Sequence, residues 1–449
     1  MPADWDAIFK AYDVRGIYPD QLDEQAAYRI GWAFATWSSA PSIVLGKDCR
    51  LSSPALSGAF SDGVTDVGAD VLDIRLATTD MVYFASGRLS MPGAMFTASH
   101  NPPRYNGVKL CLAGAAPVGE ETGLKEVRRL AERDGSSRGV AAEGRVRPHD
   151  MLDSYLDHLL SFADVASFDE LTVVADAANG MAGLVLPPLF ERLPCKLVPL
   201  YMELDGTFPN HPADPIQPEN QADLKRAVTE HGANLGLAFD GDADRVFLVD
   251  ERAEGVSGSA VTALVAKAML ERYPGATILY NLICSKVVPE VIAEYGGKGL
   301  RTRVGHSFIK GVMAQTGAVF GGEHSGHYYF RDHYNADSGL VASILVLDQM
   351  SKAGRPLSEL LAPYRRYAGS GEINTEVGDK DAVIERVANV YGGGRQDRLD
   401  GLTVEFDDWW FNVRPSNTEP LLRLNVEARD ERVLEEKTNE VLSMIRAGR

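Results

Sequence analysis

A chain of 449 residues is longer than one hydrophobic core organises, so three or four domains of about 100–150 residues each are expected. Its 45 Lys and Arg stand against 63 Asp and Glu, and the net charge of −18 disfavours nucleic acid and anionic membrane surfaces as partners; an anionic ligand needs a local basic pocket. With 45% hydrophobic and 24% charged residues the composition is that of a globular protein and gives no sign of disorder.

The opening stretch "MPADWDAIFK" is acidic and has no basic segment leading into an apolar one, so no leader is expected there. "AYDVRGIYP" sets Arg15 among aromatics, where alone it reads as a packing arginine. "SIVLGKD" is the first of three β-branched runs that end in a polar turn before a helical pattern. The others are "LTVVADAANG" before "MAGLVLPPLFERL" and "ATILYNLICS" before "KVVPEVIAEYGG". Strands alternating with helices predict α/β units, and the repeated layout points to a duplicated unit.

Between the first two runs, the strand "GAMFT" ends in "ASHNPP", a turn stiffened by two prolines, and "YNGVK" reads as the returning arm of a hairpin. Ser99 at that tip lacks a G-x-S-x-G setting, which disfavours an esterase. A rigid hydroxyl with Lys109 opposite suits a serine that carries phosphate. The polar, Gly-rich "ERDGSSRGVAAEGRVRPHD" marks a boundary.

In "LGLAFDGDADRVFLVDE" the residues Asp240, Asp242 and Asp244 alternate between two apolar runs. An extended segment would point all three carboxylates one way, as hard ligands for Mg²⁺. An EF-hand is ruled out, because Arg245 stands where the loop needs glycine and strands flank it. Arg245 suits a phosphate shared with the metal. "ERAEGVSG" marks the next boundary. "RTRVGHSFIKGVM" reads as a basic strand entering a helix with His306 at its start. In "GGEHSGHYYF" the side chains of Glu323, Ser325 and His327 are spaced to meet vicinal hydroxyls of a sugar.

The apolar run "LVASILVL" is far short of the ~20 residues of a membrane span. After "YRRYAGSGE" the last domain reads as a strand, a helix "KDAVIERVANVYGG", three close strands and a helix "ERVLEEKTNEVLSMI". Its turn "NVRPSNTEP" gathers Arg414, Ser416, Asn417 and Thr418 as a phosphate cradle. The cysteines 49, 111, 195 and 284 form no CxxC pair, which fits a reducing cytoplasm and suggests no zinc site. No Walker A pattern is present, which disfavours an ATP-driven kinase.

"TASHNPPRYNGVK", "DGDADR", "GEHSGHYYF" and "RPSNTEP" resemble, in that order, the four signature loops of the α-D-phosphohexomutase family, in its phosphomannomutase/phosphoglucomutase branch. The resemblance implies an α/β protein, three similar mixed α/β domains plus a C-terminal α+β lid around a central cleft. The boundaries read above place these at 1–150, 151–252, 253–367 and 368–449. It implies that Ser99 is a phosphoserine, that Ser99, Asp240, Asp242 and Asp244 hold Mg²⁺, and that Arg15, Lys109, Arg245 and His306 line the reaction centre. Glu323 and Ser325, with His327 beside them, would read the sugar. Arg414, Ser416, Asn417 and Thr418 would hold the phosphate that is not reacting, and Lys286 in "CSKVV" loosely matches a substrate-contacting lysine.

The implied reaction interconverts mannose 1-phosphate and mannose 6-phosphate through a hexose 1,6-bisphosphate, which also serves as activator. Lys109, rather than His306, is expected to carry the proton. Hexose phosphates are the expected partners, the compartment the cytoplasm, and the oligomeric state a monomer or weak homodimer. Glucose phosphates are alternative substrates; glucosamine phosphate is less favoured, since His324 stands where those enzymes typically show glutamine. Ala243 stands where many relatives carry glycine, a change a metal loop tolerates if φ there is negative. Two rivals stand beside this reading. Asp242-Ala-Asp244-Arg-Val also fits the D-x-D-x-V pattern of aspartyl-phosphate enzymes, and a sugar-phosphate sensor would need no carrier serine.

Overall fold

The computed structural model describes residues 4–133, 143–416 and 421–447, with the side chains of His306 and Ser307 excepted. Three of its four sheets repeat one topology. In the first, Ser42–Lys47 lies between Asp70–Leu76 and Gly93–Phe96, all parallel, and the last of these turns back into antiparallel Tyr105–Leu112. In the second, Thr172–Asp176 lies between Lys196–Leu200 and Leu235–Phe239, which turns back into Val246–Asp250. In the third, Thr277–Asn281 lies between Lys298–Thr302 and Phe320–Gly322, which turns back into Tyr328–Phe330. A helix connects the first strand to the second, and another the second to the third, in every case. The strand–helix layout legible in the sequence is thus a threefold repeated architecture.

The central strands form where they do because both faces are covered. Ile43, Val44, Val173, Val174, Ile278 and Leu279 are fully buried, and such runs of β-branched and aliphatic residues suit a parallel strand between two helical layers. Burying each of these side chains contributes ~1.5–3 kcal/mol. Helix starts are set by side-chain caps. Thr78 accepts from the Met81 N–H, Ser257 from Ala260 and Ser338 from Val341. The apolar run near residue 340 lies in the 15-residue helix Gly339–Ala353, which is buried in the protein core. No helix of the described residues is long and apolar enough to cross a membrane.

The fourth sheet is wholly antiparallel, in the order Ala368–Glu376, Leu421–Ala428, Trp409–Pro415, Leu402–Glu405, Arg395–Asp397. Helices Lys380–Val390 and Glu431–Arg446 pack against it. Val387, Leu402, Phe411, Leu424 and Ile445 form a core of its own. The first three domains, by contrast, share a continuous apolar cluster reaching from Val44 and Met95 through Val173 and Leu237 to Val341 and Leu361. The architecture is the α/β fold with three similar domains and an α+β lid that the sequence predicts.

Candidate active site

The repeated topology delivers one equivalent hairpin loop per domain, between the third strand and the antiparallel fourth: residues 97–104, 240–245 and 323–327. These three loops meet. Gly241 presses on Ser99 so closely that a Cβ there would lie 2.5 Å from the Ser99 carbonyl oxygen, which excludes any side chain. Arg245 and His327 form an antiparallel bridge that joins the second loop to the third.

Ser99 stands at this junction with φ 50°, a left-handed conformation that costs a non-glycine residue about 1–2 kcal/mol. Its Oγ donates to Asp240 Oδ2 at 2.7 Å and accepts from an Arg245 guanidinium nitrogen at 3.0 Å. Arg245 Nε reaches Asp240 Oδ2 at 3.0 Å. Lys109 Nζ, from the returning arm of the first hairpin, reaches Asp242 Oδ2 at 2.8 Å and Asp244 Oδ2 at 2.6 Å. Arg15 donates to Asn101 Oδ1 and to Asp13, each at 2.6 Å, so it borders the same loop.

The charges in this junction set one another. Burial, reinforced by the charge of Asp244, pushes the Asp240 carboxyl well above the usual range. Burial also works against the charge on Asp244, but Lys109 and His327 prevail and draw it down to about 2. The Lys109 ammonium is opposed by burial, yet Asp242 and Asp244 hold it well above the ordinary lysine value. Arg245 and burial together depress His100 far below the usual histidine value, so its Nδ1 is a neutral acceptor for Arg245.

Three buried carboxylates within 4.8 Å of one another would repel strongly without cations. Asp242 Oδ1 and Asp244 Oδ1 are buried without a hydrogen-bond partner. Lone pairs converging in this way fit a hard divalent cation. The route to convergence differs from the sequence expectation. Residues 240–244 form a turn and not an extended segment, and Ala243 has φ 63°, positive and not negative. The turn gathers alternate carboxylates because it curls around the incoming Lys109.

The third loop is also a tight turn, closed by the Glu323 N–H donating to the His327 carbonyl at 3.0 Å. Glu323 is 2% exposed, and its carboxylate accepts from Asn281 at 3.1 Å and Tyr329 at 2.7 Å. Ser325 Oγ lies 3.1 Å from His327 Nδ1, and His327 Nε2 lies 3.7 Å from Asp244 Oδ1. His327 therefore faces the Asp cluster of the second loop as well as its own loop.

The remaining site residues lie on the lid side. Arg414 donates to Glu372 Oε2 at 2.5 Å, and Arg423 pairs with the other oxygen at 3.2 Å. Ser416 closes the hairpin through its N–H to the Leu421 carbonyl, at 2.9 Å; Asn417 and Thr418 lie outside the described residues. Lys286 is set apart from the serine junction. Its N–H donates to Glu427 at 2.9 Å and its Nζ to the Phe406 carbonyl at 3.4 Å, both in the fourth domain. Helix His306–Thr316 starts at Gly305, φ 132°, where a Cβ would lie 2.6 Å from the Tyr12 hydroxyl. The His306 side chain lies outside the described atoms.

Sequence reasoning missed Arg50, Thr79, Glu372, Asp337 and Lys310. Thr79 donates to Asp242, and Lys310, 1% exposed, pairs with Asp337 at 2.6 Å beside His327. Arg50, Thr79 and Asp337 stand outside every motif singled out, and although Lys310 falls in "RTRVGHSFIKGVM" and Glu372 ends "YRRYAGSGE", neither stretch points to its partner.

One topology used three times, each copy lending the same hairpin to a common junction, together with a lid that has its own core, defines a four-domain α/β enzyme. Residues 6–138, 153–255, 257–367 and 372–443 match, in turn, the phosphoglucomutase/phosphomannomutase alpha/beta/alpha domains I, II and III and the C-terminal domain. The chain is 42% identical over 448 residues to a phosphomannomutase of Salmonella montevideo, covering 97% of this chain and 98% of that one. It is 41% identical over 445 residues to a Xanthomonas campestris protein named phosphohexose mutases, covering 98% and 99%. A Burkholderia thailandensis phosphoglucomutase/phosphomannomutase family protein of known crystal structure superimposes with a TM-score of 0.90 at 31% identity, covering 98% of this chain and 97% of that one. The chain belongs to the phosphoglucomutase/phosphomannomutase family, the α-D-phosphohexomutases.

Proposed function

We infer that the chain is a phosphomannomutase that interconverts mannose 1-phosphate and mannose 6-phosphate by way of a phosphoserine. The observation that carries the reading is the Ser99 hydroxyl, held at 2.7 Å from Asp240 and 3.0 Å from Arg245 within a carboxylate cluster. An ordinary turn serine has no use for a buried guanidinium on its oxygen.

In the forward direction O6 of mannose 1-phosphate attacks the phosphorus carried on Ser99. The P–O bond to Ser99 breaks, its electron pair returns to Oγ, and a 1,6-bisphosphate forms. The bisphosphate turns over in the cleft, and Ser99 Oγ then takes the phosphoryl group from O1, leaving mannose 6-phosphate. Arg245 stabilises charge on the transferring oxygens, and Lys109, held charged against burial by Asp242 and Asp244, donates a proton to the departing oxygen and is restored by the one that the attacking hydroxyl releases. Asp240, Asp242 and Asp244 would hold Mg²⁺ with a phosphate oxygen on Ser99, and the ion supplies further neutralisation of phosphoryl charge.

Arg414 and Arg423 hold the distal phosphate, which arrives on C1 in one half-reaction and on C6 in the other. Glu323, Ser325 and His327 meet the sugar hydroxyls. The free thiols of Cys49, Cys111, Cys195 and Cys284 support a cytoplasmic setting. Glucose phosphates are a second substrate class, favoured by the likeness to the Xanthomonas phosphohexose mutases.

The test is phosphorus NMR of the purified chain with mannose 1-phosphate, Mg²⁺ and a trace of mannose 1,6-bisphosphate. Mannose 6-phosphate should accumulate, and Ser99→Ala should abolish its formation. Undiminished turnover by that variant sinks the mechanism, and an inert wild type points to a sensor. Hydroxylamine should leave the phosphorylated enzyme intact; loss of its phosphate assigns the carrier to an aspartate.

A further inference from the structure

Arg50 lies directly beneath the serine loop. It is 1% exposed, yet its guanidinium donates to the backbone carbonyls of Ser99 at 2.7 Å, Asn101 at 2.6 Å, Pro102 at 2.8 Å and Tyr105 at 3.0 Å. Its Nε donates to Asp48 Oδ2 at 3.1 Å, and Asp48 is held in turn by the Ser53 hydroxyl at 2.5 Å. From the second domain, the ring of Phe208 lies 5.0 Å from the guanidinium carbon.

Three carbonyls of one short loop and that of Tyr105, where the returning strand begins, all aim their negative ends at a single point. Without a cation they would repel one another, and Ser99 would leave its left-handed conformation. Only a planar fork with five N–H donors satisfies this set together with Asp48; a lysine, with three donors on a point charge, leaves carbonyls unmet. Arg50 reaches the loop through its backbone and not through the serine hydroxyl or the cations of the lid. Its influence therefore falls on where Oγ sits, and not on how phosphate binds.

We propose that Arg50 is the positioning residue of the phosphoryl-carrying loop, fixing Ser99 Oγ against Asp240 and Arg245 and so setting the transfer rate in both half-reactions. The proposal rests on the mutase reading given above. Displacing a reacting atom by about 1 Å costs on the order of 10²-fold in rate. The substituted enzyme should therefore lose kcat while its KM for hexose phosphate holds.

Arg50→Lys keeps the charge and removes the fork. Alongside wild type, it should show kcat about 10²-fold lower with KM for mannose 1-phosphate within about 3-fold. Intact mass after incubation with mannose 1,6-bisphosphate should show slower phosphorylation of Ser99. Phe208→Leu removes only the ring against the guanidinium and should give a smaller fall in kcat, about 3-fold, again at constant KM; it decides the matter if Arg50→Lys does not fold. An unchanged kcat in a folded Arg50→Lys, or in Phe208→Leu when that variant must decide, overturns the proposal and leaves the mutase reading intact. So does a loss of turnover that tracks only the fraction of folded protein. An inert wild type overturns both.

Discussion

In the proposed mechanism the serine junction and the lid cradle meet phosphate with opposite designs. At the junction, Lys109 and Arg245 face three carboxylates, all of them buried, on loops fused into the continuous core of the first three domains. At the lid, Arg414 and Arg423 share the single carboxylate of Glu372, leaving positive charge in excess, on a sheet with a separate core. The lid joins the third domain through polar links such as Lys286 to Glu427 at 2.9 Å and Arg301 to Glu405 at 3.7 Å. A locked cluster with carboxylates in excess suits a metal-assisted group that must be placed to a fraction of an ångström for reaction. Surplus charge suits a phosphate that must be accepted from either end of the sugar.

The largest effect that separates the two regions is expected from Arg245→Gln. Removing a cation that contacts the reacting oxygen should lower kcat about 10³-fold with little change in KM, as steady-state kinetics would show. A raised KM at constant kcat would erase the distinction between the regions.

Next in size comes a pH effect on the fused core. Asp80 accepts hydroxyl hydrogen bonds from Thr78 in its own domain and from Ser338 in the third, and burial raises its carboxyl from 3.8 to about 7. The folded state therefore keeps this proton to higher pH than the unfolded state does. Stability from Asp80 is complete at low pH and is lost as pH rises through about 7, by at most ~4 kcal/mol. Asp80→Asn does not titrate. Thermal melts should find wild type losing ground against this variant between pH 5 and pH 8, and a gap that moves the other way would refute the assignment.

The sequence made the junction legible where chemistry and turn formers coincide. Ser99 sits beside prolines, and the Asp trio lies between apolar strands, so both loops announced themselves. What it hid was contact over distance. Arg50 is 49 positions from Ser99, in an unremarked stretch, and Glu372, at the end of the boundary "YRRYAGSGE", is 42 from Arg414. The duplicated topology was visible only as alternating strands and helices, because sheet order is set by packing and not by local pattern. The period-two reading of Asp240, Asp242 and Asp244 expected three carboxylates to converge, and they do, but by another geometry; a turn converges them as well as a strand would. Lys286 was placed with the substrate by likeness alone, and its contacts instead tie the third domain to the lid.

On the lid, Arg414→Gln should raise KM for mannose 1-phosphate about 10–30-fold, the value of one charge-assisted phosphate contact, and leave kcat within about 3-fold. A kcat loss as large as that of Arg245→Gln would mean that the cradle takes part in the transfer itself.

The smallest effect is expected at Ala243, where two terms nearly cancel. Its positive φ costs an alanine about 1 kcal/mol, which Ala243→Gly would relieve. The methyl group is fully buried in the shared core and contributes about 0.8 kcal/mol there, and glycine also adds roughly 0.4–1 kcal/mol of unfolded-state entropy. The variant should melt within about 2 °C of wild type, slightly on the low side, with kcat unchanged. A clear gain in melting temperature would show that backbone strain outweighs packing in the metal loop. A fall in kcat at constant stability would show instead that the methyl group, and not the ion pairs alone, keeps the three carboxylates in register with Ser99.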